Sequence, residues 1–358
     1  MSTITPPLTG KFADPDATVV DDPRLDPRIK AVLAIEDSFA PGLDAPALNV
    51  DYETSLEYAN EFERVAALPH PELLENMPKF ASVTSSTEVI QGVDDNDINL
   101  FIHRPADMEG PLPCIVHIHG GGMVIMTAED PNYILWRNSL ADAGVVVVGV
   151  EYRNGGGRLG PHPFPAGLND CASAVKWVDQ NRSSLNISNI VISGESGGGN
   201  LSLATTLLAK QDGWLDVISG VYAMCPYISG SYANPPAELP SLFENDGYML
   251  DMNTMSALVT VYDPTGENLE NPLAWPYYAT TEALAGLPPH VISVNELDPL
   301  RDEGLAYYRK LLTAGVPTIG RTAHGTPHGG DGGFPEQIPE VYADVIRAIT
   351  GFAGSLSR

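Results

Sequence analysis

The stretch from Gly194 to Asn200 reads Gly-Glu-Ser-Gly-Gly-Gly-Asn, and it follows the apolar run Asn189–Ser193. The helix-forming run Leu201–Lys210 comes directly after it. A serine between glycines at a strand-to-helix turn is typical of a nucleophile elbow. Such a turn predicts that Ser196 stands above a sheet, with the first N–H groups of the next helix directed at its target. In a chain with 34 glycines the motif arises by chance in about one such chain in five, so other residues must supply its partners.

Apolar strands alternate with helices from about Thr87 onward. The predicted strands are Glu88–Val93, Ile98–Arg104, Leu112–His119, Val145–Tyr152, Asn189–Ser193, Val217–Cys225, His290–Asn295 and Val316–Arg321. The predicted helices are Pro131–Asp142, Ala166–Arg182, Leu201–Lys210, Asp302–Ala314 and Glu336–Phe352. We expect the first two strands to pair antiparallel and the others to form a parallel sheet with helices on both faces, which is an α/β fold.

Two segments lie outside this alternation. Residues 1–85 predict two helices, Pro27–Ser38 and Tyr52–Leu68, with Asp26 as the cap of the first and Pro27 at its first position. Residues 228–285 are rich in methionine and aromatic residues. They are interpreted as a helical insertion with its own small core, as a cap whose apolar side chains line a pocket, or as both.

Composition limits the partners and the compartment. The net charge of -27 argues against nucleic acid and against stable association with anionic membranes. It indicates either an ordinary soluble acidic surface or adaptation to high salt. Residues 1–7 do not resemble a signal peptide, and Cys114, Cys171 and Cys225 are expected to be buried free thiols, so we expect a cytoplasmic protein. The cysteine spacing indicates neither a metal site nor a disulfide framework.

A second glycine motif follows the strand Leu112–His119 and reads His-Gly-Gly-Gly from residue 119 to residue 122. Acyl transfer builds negative charge on a carbonyl oxygen, which preorganised N–H groups stabilise. We predict that the N–H groups of Gly121, Gly122 and Gly197 form an oxyanion hole. The alternative is a flexible glycine turn without a catalytic role.

Candidate acids and bases follow the last two strands. Asp298 comes just after His290–Asn295 and is the predicted acid, with Glu296 as the alternative, while Asp302 is expected to cap the next helix. The base must follow the acid in this topology, which leaves His324 and His328.

Four motifs in order resemble the hormone-sensitive-lipase-like family of α/β-hydrolases, over residues 112–334. They are His119–Gly122, Tyr152-Arg153 with Pro163–Ala166 and Asp170, Gly194–Gly198, and Asp298–Asp302. In that family the catalytic His follows a Gly by three residues and precedes another, a pattern that Gly325–Gly329 fits, so the resemblance assigns the base to His328.

The resemblance implies an α/β-hydrolase fold and a serine carboxylesterase with the triad Ser196, Asp298 and His328. No cofactor and no metal are implied, and the substrates are esters of short- to medium-chain acids. The domains implied are N-terminal cap helices (1–85), a catalytic domain (86–227 and 286–358) and a cap insertion (228–285). A homodimer is expected through the exposed edge of the last strand.

Three departures bring the chain nearer to the branch that resembles brefeldin A esterase. The loop Asn154–His162 is longer and richer in glycine than the family pattern, Gly329–Asp331 replaces the usual residues after the histidine, and Glu195 stands inside the elbow. Glu195 is interpreted as a buried partner of a nearby cation or as a spacer. Two other functions stay open: an amidase that uses the same triad, and a non-catalytic small-molecule receptor on this scaffold.

Overall fold

The computed structural model describes residues 8–34, 43–66 and 78–356. In this part of the chain one sheet has eight strands: β1 (Val83–Gln91), β2 (Asp97–Pro105), β3 (Leu112–Ile118), β4 (Val146–Glu151), β5 (Ile187–Glu195), β6 (Gly220–Met224), β7 (His290–Asn295) and β8 (Thr318–Ala323). Their order is β1-β2-β4-β3-β5-β6-β7-β8. β2 is antiparallel to both β1 and β4, and the other neighbours are parallel. The predicted α/β class and mostly parallel sheet are confirmed.

The described α-helices are α1 (Pro27–Leu33), α2 (Tyr52–Ala66), α3 (Pro131–Asp142), α4 (Ala166–Gln180), α5 (Arg182–Leu185), α6 (Gly197–Gln211), α7 (Ser241–Glu244), α8 (Met252–Tyr262), α9 (Thr281–Leu284), α10 (Arg301–Thr313), α11 (Gly330–Gly333) and α12 (Pro339–Ser355). Helices α3 and α12 cover one face of the sheet, and α4, α6 and α10 cover the other. Strands β3 to β7 are therefore almost wholly buried, which accounts for their largely apolar sequences.

The last strand begins two residues later than the predicted Val316. Gly315 has a φ of 77°, and the N–H of Val316 returns to the carbonyl of Leu311, so this segment still belongs to the turn after α10. Pro317 follows and has no N–H to donate. The strand therefore begins later than its apolar sequence predicted. The predicted position of this strand at the edge of the sheet is confirmed.

The helix α1 begins as predicted, because Asp26 accepts a hydrogen bond from the N–H of Arg28 (2.8 Å) and Pro27 occupies the first turn. The predicted ends of the first two helices, at Ser38 and Leu68, lie outside the described residues.

The N-terminal segment contacts the insertion at residues 228–285 directly. Helix α2 packs on α8, where the hydroxyl groups of Tyr58 and Thr254 lie 2.7 Å apart. Arg24 pairs with Glu244 of α7 at 2.6 Å. Among the described helices, none has the length and apolar character needed to cross a membrane.

Candidate active site

The elbow forms where β5 passes into α6. Ser196 has a φ of 56° and a ψ of -117°, a strained conformation for a residue with a side chain. A Cβ on Gly194 or Gly198 would overlap backbone atoms at the end of the neighbouring strand β3, so only glycine fits on either side of the serine. The N–H of Ser196 donates to the carbonyl of Met224 (2.9 Å), which fixes the turn against the end of β6.

The glycine motif after β3 forms a second turn against the elbow. Gly121 and Gly122 have φ angles of 92° and 61°, and Met123 follows at 62°. A Cβ on Gly197 would lie 2.7 Å from the nitrogen of Gly122, so the two turns are in contact. Within the described chain, no hydrogen-bond acceptor is recorded for the N–H groups of Gly121 and Gly122. The first N–H groups of a helix also lack intrahelical partners, which adds Gly197 to the available donors.

The predicted acid and base are in direct contact. His328 Nδ1 lies 2.8 Å from Asp298 Oδ2, and Asp298 is fully buried. The other carboxylate oxygen of Asp298 accepts from the N–H of Leu300 (2.9 Å), which fixes the direction of the carboxylate. Burial works to lower the pKa of His328, but the charge of Asp298 and the neighbouring Cys225 outweigh it, and the pKa is raised well above 6.5.

The alternative acid and base pair with each other. His324 Nδ1 lies 3.2 Å from Glu296 Oε2, and the side chain of His324 is 77% exposed. Glu296 Oε2 also accepts from the N–H of Gly325 (2.9 Å), so Glu296 holds the loop before His328. A variant of this exposed pair can therefore serve as the control for a variant of the buried pair of Asp298 and His328.

The expectation that Asp302 caps the next helix is wrong. The N-cap position of α10 belongs to Leu300, and Asp302 lies in the first turn of the helix. Its carboxylate accepts from the N–H of Ser241 in α7 (2.8 Å) and pairs with Arg301. Asp302 therefore connects α10 to α7, which lies in the insertion at residues 228–285.

The segment that follows β6 joins the elbow to the acid and base. Met224 accepts from the N–H of Ser196, and the next residue, Cys225, has its Sγ within 4.8 Å of a ring nitrogen of His328 and a carboxylate oxygen of Asp298. The contacts thus form two groups: the elbow with the glycine turn at Gly120–Gly122, called the oxyanion turn below after the role predicted for it, and the predicted acid with the predicted base. Residues 224–225 lie between the two groups.

Glu195 connects the elbow to the oxyanion turn. One carboxylate oxygen accepts from the N–H of Gly120 (2.9 Å), and the other lies 3.1 Å from His117 Nε2. The contact is possible because β5 runs parallel to β3, with Ile118 opposite Gly194. Glu195 is therefore more than a spacer, and one of its partners is a backbone N–H that sequence reasoning did not identify.

We expect Glu195→Ala to lower kcat by roughly 10- to 100-fold, because each charged hydrogen bond contributes about 1.5–3 kcal/mol and the N–H of Gly120 would keep only its longer contact with the Tyr133 hydroxyl (3.2 Å). KM should change less, since Glu195 orients the turn through Gly120. Glu195→Gln keeps an acceptor and should fall between wild type and Glu195→Ala. Glu88→Ala on the exposed face of β1 is the matched control. Equal kcat values for Glu195→Ala and the control would contradict the role.

The Tyr152-Arg153 motif supports the same turn from the strand side. Tyr152 donates from its hydroxyl to the carbonyls of His119 (2.9 Å) and Gly120 (3.0 Å), and its ring stacks on that of His119. Arg153 pairs with the fully buried Asp170 at 2.9 Å. These residues therefore hold the site together without offering a reactive group.

The glycine-rich loop after Arg153 is hydrogen-bonded to the residues that come directly after the oxyanion turn in the sequence. The N–H groups of Gly155 and Gly156 donate to the carbonyls of Met123 (2.9 Å) and Val124 (3.0 Å). A Cβ on Gly157 would lie 2.6 Å from the carboxylate of Glu63, so glycine allows α2 to approach. This long-range contact explains the departure from the family pattern.

Glu63 brings the N-terminal helix α2 to the same loop. Its two carboxylate oxygens accept from the N–H groups of Met126 (2.6 Å) and Arg158 (2.7 Å). From the other side, Leu258 of α8 lies 2.9 Å from the position of a Cβ on Gly122. Helix α8 thus contacts the oxyanion turn at Gly122, and α2 contacts the chain that follows it at Met126.

The chain is similar in sequence to one protein family and to several known esterases. A family model described as the alpha/beta hydrolase fold matches residues 115–330. The chain is 34% identical over 227 residues to carboxylesterase NlhH of Mycobacterium tuberculosis, which covers 62% of this chain and 67% of that protein. It is 33% identical to an arylesterase of Saccharolobus solfataricus, over 66% of this chain and 74% of that protein.

Two solved structures are similar over most of their length. Brefeldin A esterase, described as a bacterial homologue of human hormone sensitive lipase, has a TM-score of 0.90 and 46% identity, with 99% of each chain covered. Esterase Est22 has a TM-score of 0.83 and 40% identity, with 94% of this chain and 99% of that chain covered.

Proposed function

The chain belongs to the hormone-sensitive-lipase-like family of α/β-hydrolases and is a carboxylic-ester hydrolase, and from that premise we propose that it works through an acyl-enzyme formed on Ser196. The observation that carries the proposal is the 2.8 Å contact between His328 Nδ1 and the buried Asp298, in the loops beside the elbow. A histidine held in this way has its Nε2 free to accept a proton.

In the proposed mechanism, His328 takes the hydroxyl proton of Ser196 as the serine oxygen attacks the ester carbonyl. Asp298 fixes the tautomer of His328 and stabilises the imidazolium that forms. The carbonyl oxygen becomes negatively charged and is bound by the N–H groups of Gly121, Gly122 and Gly197. Collapse of this intermediate breaks the ester bond, and His328 protonates the departing alcohol. A water molecule, deprotonated by His328, then releases the acid and restores Ser196.

Contacts between the N-terminal segment and the insertion support a division of the chain into a cap and a catalytic domain. Residues 1–85 and 228–285 would together form the cap, and residues 86–227 and 286–358 the catalytic domain. The hydroxyl contact of Tyr58 with Thr254 and the ion pair of Arg24 with Glu244 support this division, because both join the N-terminal segment to the insertion. The edge position of β8 and the exposure of Ile319 there support a homodimer through this strand.

The contact of α8 with Gly122 and of α2 with Met126 supports short- to medium-chain acyl groups as substrates, because both helices take up space near the oxyanion turn. We expect kcat/KM for p-nitrophenyl esters to be highest between acetate and octanoate and to fall about tenfold or more for palmitate, because a long chain needs room that Leu258 and its neighbours occupy. The measurement is a chain-length series below the solubility limit of each ester. A maximum at palmitate, or activity that requires an emulsified interface, would refute this preference.

The same series can be extended to the amidase alternative by pairing each ester with the anilide of the same acid. The triad serves both reactions, but an amine is the poorer leaving group and must be protonated as it departs. A higher kcat/KM for the anilide would favour an amidase. The receptor alternative has less support, because Ser196, Asp298 and His328 are all present and the last two are in contact.

A further inference from the structure

Cys225 occupies an unusual position beside the proposed base. It follows β6 and has a φ of 35°, a conformation that residues with a side chain rarely adopt. Its N–H donates to the carbonyl of Ser293 (2.7 Å), which holds the backbone in place, and the residue is only 1% exposed. The proposed ester hydrolysis does not use this thiol.

Cys225 belongs to a set of three metal-type donors. Its Sγ, a carboxylate oxygen of Asp298 and a ring nitrogen of His328 all lie within 4.8 Å of one another. The three residues come from the segments after β6, β7 and β8, so the sheet itself brings the donors together. In the described ranges of the chain, no other group of His, Cys, Asp and Glu side chains meets this condition.

We propose that Cys225, Asp298 and His328 form an inhibitory site for one thiophilic divalent cation, Zn²⁺ or Cd²⁺. The inhibitory effect rests on the proposed function, since it requires His328 to be the base. Binding itself depends only on the three donors.

The chemistry of the donors selects the ion. A thiolate with an imidazole favours Zn²⁺ and Cd²⁺ over the hard ions Mg²⁺ and Ca²⁺, which prefer oxygen ligands. The charges of one thiolate and one carboxylate balance a divalent cation, so the buried site carries no uncompensated charge. Metal–ligand bonds of about 2.0–2.3 Å place tetrahedral ligands roughly 3.3–3.8 Å apart. Donors that lie within 4.8 Å of one another therefore need to approach by at most about 1 Å, while Nδ1 and Oδ2, at 2.8 Å, would move slightly apart if both bound the ion.

An ion can reach the site along His328, whose side chain is 14% exposed, whereas Asp298 is fully buried. The thiol proton of Cys225 leaves to the solvent when the thiolate binds. A metal on Nε2 of His328 occupies the atom that would accept the proton of Ser196. A metal on Nδ1 displaces the proton shared with Asp298. Either arrangement removes the base, so metal binding and ester hydrolysis exclude each other.

The test separates binding from activity by using the cadmium–thiolate charge-transfer absorption together with the rate of p-nitrophenyl acetate hydrolysis. Wild type should bind about one equivalent of Cd²⁺ in step with loss of activity, and EDTA should abolish the absorption band and restore the activity. Ser196→Ala should bind Cd²⁺ like wild type, because Ser196 is not a ligand. This variant shows binding even if the proposed role of Ser196 is wrong.

Two variants remove the thiol. Cys225→Ala tests the ligand, and Cys225→Gly suits the positive φ and protects against a folding defect. Each should lose the absorption band and raise the Cd²⁺ and Zn²⁺ concentrations for half-inhibition, relative to its own uninhibited rate, by about tenfold or more. Cys171→Ala is the matched control, since Cys171 is a buried thiol near Asp170 without an imidazole partner. A charge-transfer band that survives in both Cys225 variants, or unchanged half-inhibition in them, would overturn the site.

Discussion

Ser196→Ala lowers kcat for p-nitrophenyl acetate by roughly 10⁵-fold or more, because the acyl-enzyme has no other oxygen on which to form. The fold should be retained, since the Ser196 hydroxyl makes no hydrogen bond within the described part of the chain, not even as a cap of α6. The variant should also lose labelling by a serine-reactive phosphonate. The measurements are steady-state kinetics and mass spectrometry of the phosphonylated protein.

A companion variant separates the chemistry from the backbone strain. Ala retains a Cβ and therefore keeps the cost of a φ of 56°, whereas Ser196→Gly relieves it. Both variants should be inactive, but Ser196→Gly should unfold at a higher temperature than Ser196→Ala, by an amount that corresponds to about 1 kcal/mol. Ser184→Ala, at an exposed position, is the activity control. Turnover or phosphonate labelling that persists in Ser196→Ala would remove Ser196 from the mechanism.

Asp298→Asn should lower kcat by about 10⁴-fold, while Glu296→Gln should stay close to wild type. An amide at residue 298 can no longer hold Nδ1 as a donor, so the wrong tautomer of His328 faces the serine. Glu296 pairs with the exposed His324, where an ion pair contributes little. The two variants make the same chemical change at acids two residues apart, and kcat on one ester distinguishes them.

The pH profile supplies a second criterion. Burial lowers the pKa of His328, but Asp298 and Cys225 raise it by more, so in wild type the base is lost as pH falls through a raised pKa. Removing the charge of Asp298 should move the acidic limb of kcat/KM to lower pH. An unshifted limb, or a Glu296→Gln variant as impaired as Asp298→Asn, would reassign the acid.

The sequence was sufficient for the elements that depend on local pattern. Strands such as β3 and β4 are almost continuous apolar runs, and Pro131–Asp142 was predicted with the bounds that the structure has. The two glycine turns were recognisable because positive φ angles and close backbone approach restrict those positions to glycine. The contact of Asp298 with His328 followed from the order of the strands and from the family resemblance.

Contacts between residues that are far apart in the sequence could not be predicted from local patterns. Glu195 reaches Gly120, 75 residues away, and Glu63 reaches Arg158, 95 residues away. A carboxylate that accepts from backbone N–H groups imposes no residue type on its partner, so no pairing of side chains indicates it. The role of Asp302 was misjudged for a related reason, since its acceptor function is directed to Ser241 in the insertion.

The hydrogen bonds of Glu63 join two segments that are far apart in the sequence, so neither segment can be exchanged on its own for that of a relative. A chimera that took its N-terminal segment from a relative would leave the N–H groups of Met126 and Arg158 without their acceptor, at a cost of about 1 kcal/mol for each of these partly buried hydrogen bonds. The long glycine loop would at the same time face a helix that it does not fit. Helix α2 and the loop Asn154–His162 therefore have to be transplanted as a unit, although about ninety residues separate them in the chain.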